Sequence, residues 1–170
     1  MTDATFRPAT LADASSLVAI YNHYVATSTV TFDLEAWSPS DMAHKIEAVQ
    51  ALGMPFIVAE RDAEVVGYAY LSTFREKAAY ESTMENTLYL RENARGSGIG
   101  ATMLDELCRL GAIAGVREVV AVIANTPDAV PSIRLHDKAG FARVGEMDNV
   151  GRKFDEWIGI VIMQKSLARD

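Results

Sequence analysis

The sequence predicts a mixed α/β domain in which helices flank one mainly antiparallel, twisted sheet. Three observations predict it. Apolar residues switch between a helical period and short strand-like runs along the 170 residues. The runs follow the order β-α-α-β-β-β-α-β-α-β-β, which is not the regular alternation of a parallel βα array. No Pro/Gly/Ser linker, repeat or low-complexity tract divides the chain, so one domain over residues 1–170 is expected.

Each element has its own signal. TFRP (5–8) reads as a short strand ending at Pro8. TLADASSLVAIYNHYVA (10–26) reads as a helix; Thr10 and Asp13 form a capping pair, and Leu17, Ile20, Tyr21, Tyr24 and Val25 share one face. TSTVTFDLEAW (27–37) has neither period and is an extended loop. In SPSDMAHKIEAVQALG (38–53), Ser38 caps, Pro39 occupies the first turn and Gly53 terminates. Residues 55–74 are two apolar runs around a polar RDAE turn, a hairpin. MENTLYLR (84–91) is a strand with Leu88 and Leu90 on one face. Residues 98–115 form a helix with Leu104, Leu107 and Cys108 inward, and REVVAVIA (117–124) is a β-branched buried strand. PSIRLHDKAG (131–140) is a short helix from Pro131 to Gly140. FARVGEM (141–147) and EWIGIVIMQKSL (156–167) close the chain as strands.

Composition narrows the function. Hydrophobic residues make up 49%, enough for an ordinary core. The net charge of -7 argues against nucleic acid, whose binders carry a basic excess. Apolar runs of about ten residues are too short to span a bilayer. The start MTDATFRPAT lacks the charged-then-apolar pattern of a secretory leader, so cytoplasm is the expected compartment. Cys108 is the only cysteine, which excludes an intramolecular disulfide and a cysteine metal cluster; on an inward helix face it reads as packing. His23 and His44 read as helix-surface residues, and no H-x-x-x-H or carboxylate pair points to a metal.

RENARGSGIG (91–100) is the most informative stretch. Its glycines follow a strand and open a helix, where bare backbone N–H groups and the helix dipole can hold an anion. A P-loop is excluded because no Lys-Ser/Thr follows. Gly96, Gly98 and Ala101 satisfy a dinucleotide fingerprint, but mid-chain, after a hairpin, rather than at the start of a βαβ array. A ligand-free turn is the third possibility. The fourth is R-x-x-G-x-G, with Arg95, Gly98 and Gly100.

That pattern resembles the pyrophosphate-binding motif of the GNAT acyl-CoA N-acyltransferases. The element order and LHDKAGF (135–141), similar to the family's L-Y-x-K-x-G-F, extend the resemblance. Longer stretches resemble the phosphinothricin and methionine sulfoximine/sulfone acetyltransferase branch: IYNHYVATSTVTF, FREKAAYESTMENTLYLR, VAVIANTPDAVPSIRLHDKAGF and VGRKFDEW. The resemblance implies a GNAT-like fold, acetyl-CoA as cosubstrate, a small amino-acid-like acceptor and a homodimer, which the apolar closing strand could support. It implies that the backbone of Arg95, Gly96, Ser97, Gly98, Ile99 and Gly100 cradles the pyrophosphate. Leu88, Tyr89 and Leu90 would pair with the pantetheine arm. The family's Asn three residues before Ser132 is Ala129 here, in a longer loop, so Asn125 or Asp128 stands in for it beside Ser132.

N-acetylation needs a base to free the amine and a partner for the leaving thiolate. Glu85, at the start of the strand leading to the glycines, matches the family's catalytic glutamate; on residue type alone it reads equally as an exposed carboxylate, and Glu81 and Glu92 lie close by. His136 stands where many relatives carry a general-acid Tyr; it could bond substrate, move a proton or simply pack. Arg75 and Tyr80 align with substrate-binding positions, Lys77 adds charge, and Phe32 closes the pocket from the loop after the first helix. Tyr21 and Tyr24 read as core. Arg152 and Lys153 form a basic bend that is either solvated or part of a pocket or subunit contact. The competing functions are acetylation of a protein N-terminus and acyl-CoA binding without catalysis.

Overall fold

A computed structural model describes residues 4–167. Seven strands form one sheet in the order β1-β2-β3-β4-β5-β7-β6. They are β1 (Thr5–Pro8), β2 (Phe56–Arg61), β3 (Glu64–Thr73), β4 (Thr83–Leu90), β5 (Glu118–Ala124), β6 (Ala142–Lys153) and β7 (Glu156–Ser166). Every neighbouring pair is antiparallel except β4 and β5, so the expected mainly antiparallel sheet is what forms.

Four helices cover the two faces. α1 (Ala14–Thr27) and α2 (Pro39–Ala51) bury Leu17, Ile20, Tyr21, Tyr24, Ile46 and Val49 against Phe56, Val58 and Tyr68 on one face. α3 (Ile99–Ile113) and α4 (Val130–Lys138) lie on the other, where Met103, Leu104 and Leu107 of α3 meet Ile57, Leu71 and Val119. The caps work as the residues suggest. Ser38 accepts from Asp41 N–H while Asp41 accepts back from Ser38 N–H. Ahead of α1, Asp13 accepts from both the backbone N–H and the hydroxyl of Thr10, and Asp13 N–H returns to Thr10 C=O, closing a single 3-10 turn (Leu11–Asp13). Gly53 and Gly140 leave α2 and α4 at φ +71° and +85°. Cys108 is buried, and burial pushes its thiol up to about 11, consistent with packing.

Two hairpins use turns with both central residues at positive φ: Asp62-Ala63 joins β2 to β3, and Phe154-Asp155 joins β6 to β7. The second differs from expectation. The strand read at 141–147 runs on to Lys153, with register shifts at Arg143/Gly145 and Met147/Gly151. The basic bend is therefore the end of a strand, and its two cations part ways. Arg152 is exposed and pairs with Asp155 at 3.0 Å, whereas Lys153 is only 3% exposed.

Candidate active site

β3 and β4 pair all the way to Leu90, but β4 and β5 pair only at Thr83–Glu118, Met84–Val119 and Glu85–Val120. Beyond Glu85 the two strands part, while β5 stays paired to β7 through Ala124. The β4 edge from Asn86 to Leu90 thus faces a gap inside the sheet. Backbone N–H and C=O groups on such an edge need partners. An extended ligand with amides along its length has the groups to match such an edge.

The glycine cluster sits at the end of that edge. Gly96 (φ +73°) and Gly98 (φ +86°) need the left-handed region, and Gly98 caps α3. Space around Gly96 is open, whereas a Cβ on Gly100 would meet Leu90 at 3.3 Å and Leu135 at 3.5 Å. Gly96 and Gly98 thus shape the loop, and Gly100 allows close packing of α3. No side chain caps α3, so the first N–H groups of Ile99, Gly100 and Ala101 are free for an anion. Ser97 is turned back, donating to Ala94 C=O at 2.7 Å. Arg95 is turned back as well. Its guanidinium lies 4.9 Å from the Tyr24 ring centre, and its Nε donates to the Tyr24 hydroxyl at 3.1 Å. Tyr24 in turn donates to Leu90 C=O. Tyr24, read from sequence as core, is buried but ties α1, the end of β4 and Arg95 together.

Successive β4 residues face opposite sides. Met84, Leu88 and Leu90 join the α3 side, and Tyr89 packs 5.1 Å from Tyr21 on the α1 side. Glu85 lies on the α1/α2 side beside Tyr70, where its charge adds to the burial that raises the Tyr70 hydroxyl. Glu85 is half-buried, at the point where β4 and β5 part. Burial lifts its carboxyl above the ordinary value, and the charges of Arg75 and Lys45 pull it partly back. Lys45, which the sequence did not single out, comes from α2, with its Nζ 5.7 Å from the Tyr70 ring centre.

Arg75, Lys77 and Tyr80 occupy the exposed connection between β3 and β4. Arg75 stacks on Phe74 at 5.0 Å, and Tyr80 meets the same ring edge-on at 5.9 Å. Lys77 precedes the 3-10 turn Ala78–Tyr80 and is not among the charges felt by Glu85. Glu81 is exposed, and Glu92 lies 3.2 Å from His23 on the surface.

His136 is buried beneath the gap. Its Nδ1 lies 2.8 Å from Ser132 C=O, which can only accept, so Nδ1 carries the proton. Nε2 then accepts from Asn86 Nδ2 at 3.0 Å. Burial lowers the affinity of the ring for a second proton, against the opposing effects of the Ser132 carbonyl and Asp137. Asn86, absent from the sequence-derived set, is 8% exposed, and its Oδ1 has no partner among the described residues. Ser132 is half-buried; Asn125 and Asp128 are exposed, and Asn125 N–H bonds Gly159 C=O at 2.9 Å. Ala129 is 1% exposed.

The loop 28–37 crosses the gap as a strap. Thr29 Oγ1 lies 3.1 Å from Thr126 Oγ1, just past β5. Tyr21 and Trp37 Nε1 donate to Asp33 at 2.5 and 2.7 Å, and Asn22 pairs with Trp37 through both backbone groups. Phe32, 40% exposed, rests on the bare backbone of Gly151.

Among the described residues no helix is long and apolar enough to cross a membrane, and no three His/Cys/Asp/Glu side chains could hold a metal. A sheet gap ending on a bare helix N-terminus, with a half-buried carboxylate at its apex, suits an acyl thioester carried on a phosphorylated arm. Comparison with known proteins agrees. The family model described as "Acetyltransferase (GNAT) family" matches residues 17–141. The phosphinothricin N-acetyltransferase of Alcaligenes faecalis is 34% identical over 155 residues, covering 91% of this chain and 78% of that one. The L-methionine sulfoximine/L-methionine sulfone acetyltransferase of Pseudomonas paraeruginosa is 34% identical over 168 residues, covering 96% and 95%. A solved phosphinothricin acetyltransferase from Sinorhizobium meliloti in complex with acetyl-CoA superposes with a TM-score of 0.93 at 35% identity, covering 98% and 89%. The chain is an acetyl-CoA-dependent N-acetyltransferase and belongs to the GNAT family.

Proposed function

We propose that residues 1–170 act as one domain that acetylates the α-amino group of a small amino-acid-like acceptor such as phosphinothricin, methionine sulfoximine or methionine sulfone. The observation that carries this reading is Glu85, half-buried where β4 and β5 part and within the field of Arg75 and Lys45. An α-ammonium is mostly protonated at neutral pH and must lose a proton before it can attack. A carboxylate whose proton affinity is raised by burial is a better base for that task than an exposed one. Glu85 takes the ammonium proton. The freed lone pair forms the C–N bond to the acyl carbon, the C–S bond breaks with its electrons leaving on sulfur as thiolate, and the second proton shed by the nitrogen neutralises that thiolate to the free thiol. The unpaired β4 edge beyond Glu85 holds the extended arm of acetyl-CoA, and the N–H groups at the start of α3 hold its pyrophosphate. Arg75, Tyr80 and Lys77 supply donors for the acceptor's carboxylate or phosphinate oxygens, with Phe32 above them. His136, neutral and bonded at both ring nitrogens, positions β4 through Asn86. Asn125, Asp128 and Ser132 flank the arm.

The relatives' names support the acceptor class. The exposed Val144, Met147, Val150 and Trp157 on β6 and β7 support a homodimer, and the lone buried thiol suits a reducing cytoplasm. The test is thiol release from acetyl-CoA with these acceptors. Wild type should release thiol, and Glu85→Gln should lose about 10²–10⁴ in kcat. No release with any amino-acid acceptor would overturn the acceptor class, and an unchanged Glu85→Gln would remove Glu85 as base.

A further inference from the structure

Lys153 is a costly residue for the fold to keep. It is 3% exposed, and among the described residues its Nζ makes one hydrogen bond, to Thr31 C=O at 3.0 Å, although an ammonium has three N–H groups to satisfy. The Phe154 ring centre lies 5.2 Å away, and Asp33 is the acid whose charge it feels. Two residues back on the same strand, Gly151 receives Phe32 so closely that a Cβ there would sit 2.1 Å from the ring's Cε1. Thr31 and Phe32 are therefore seated on Lys153 and Gly151, a matched pair on one face of β6. The near side of the strap is already fixed by Asp33, Trp37 and Asn22. Among the described residues two of its three N–H groups find no partner, so the single bond to Thr31 C=O offsets only part of the cost of burying this ammonium.

We propose that Lys153 is a positioning residue for the acceptor: it clasps the strap to the β6–β7 hairpin and so sets where Phe32 stands over the cleft. The proposal rests on the acceptor lying under the strap beside Glu85. Its chemistry is a backbone carbonyl held by an ammonium, so arginine replaces it in part and methionine does not.

The test compares Lys153→Met, Lys153→Arg and Gly151→Ala, the last displacing Phe32 with Lys153 intact. In Lys153→Met the relief of burying an ammonium and the stranding of Thr31 C=O oppose one another, so the melting temperature should stay within about 4 °C of wild type. Its acceptor KM should rise about tenfold, while the acetyl-CoA KM stays within about twofold. Amide exchange over residues 28–37 should speed up about tenfold. Lys153→Arg should recover part of both effects, and Gly151→Ala should move acceptor KM the same way. A merely structural lysine would instead lower the melting temperature and leave acceptor KM unchanged; that result, or both KM values rising together, overturns the proposal. The exchange measurement needs no acceptor. If wild type acetylates nothing offered, the proposed function fails, yet unchanged exchange in Lys153→Met still sinks the clasp and faster exchange still supports it.

Discussion

Replacing His136 by Leu and Asn86 by Leu should have very different consequences, although the two side chains share one hydrogen bond. In His136→Leu the Asn86 amide, 8% exposed, loses its only partner while its Oδ1 already has none. A fully unsatisfied buried amide costs about 1–3 kcal/mol. The edge contact of the imidazole with Phe141, at 4.9 Å and 82°, adds about 1 kcal/mol. The sum is about 3 kcal/mol, or about 6–12 °C for a chain of this length. In Asn86→Leu the orphan Oδ1 disappears, a gain of about 1–3 kcal/mol, and His136 Nε2 loses its donor, a loss of the same size. The net effect should lie within about 1 kcal/mol of zero. The double variant should be more stable than His136→Leu alone, because no amide is then stranded. Thermal and urea unfolding of the three variants decide the matter. Equal losses in both single variants, or a double variant worse than His136→Leu, would refute the reasoning.

Three further outcomes are expected. The proposed base Glu85 must be ionised to act, and burial raises its pKa, so kcat should fall as pH drops through a value above the ordinary 4.5; Arg75→Gln, which removes a charge holding it down, should move that limb to higher pH in a pH–rate profile. Asp13 is held at about 2, against an ordinary 3.8, chiefly by hydrogen bonds from Arg7, and the difference corresponds to about 2 kcal/mol. A depressed carboxyl stabilises above its unfolded value and stops doing so as pH falls through its folded one, so Asp13→Asn should melt below wild type at pH 6, with the gap closing near pH 2. Gly98→Ala forces a Cβ into φ +86°, at a cost of about 1 kcal/mol, and should raise the acetyl-CoA KM while leaving the acceptor KM unchanged.

Most of the architecture was readable because it is written locally. Ser38-Pro39, Gly53, the RDAE turn and Gly140 mark boundaries within a few residues of themselves. The strand-end glutamate and the glycine cluster could be grouped from sequence because both lie along the one segment that borders the gap. What the sequence could not show comes from distant pairing. Lys45 reaches the field of Glu85 only because α2 folds over β3, and nothing in a solvated-looking helix lysine announces that. Asn86 and His136 are fifty residues apart and meet only once α4 packs under β4. Lys153 sits in a polar stretch that reads as a bend, yet the bulges in β6 turn it inward. Tyr24 looked apolar by its place on α1; its hydroxyl has a role because Leu90 and Arg95 arrive from the far end of the chain.

The parting of β4 from β5 also bears on how the protein survives when its supply of acetyl-CoA runs low. Beyond Glu85 the β4 edge is unpaired on its β5 side, the same feature that makes outer edges prone to stick to other chains. On the placement proposed for acetyl-CoA, its arm would complete the sheet as well as bring the acyl group. At a hundred times its dissociation constant it would add about 2.7 kcal/mol to the folded state. Resistance to unfolding and to proteolysis should then rise with the concentration of acetyl-CoA.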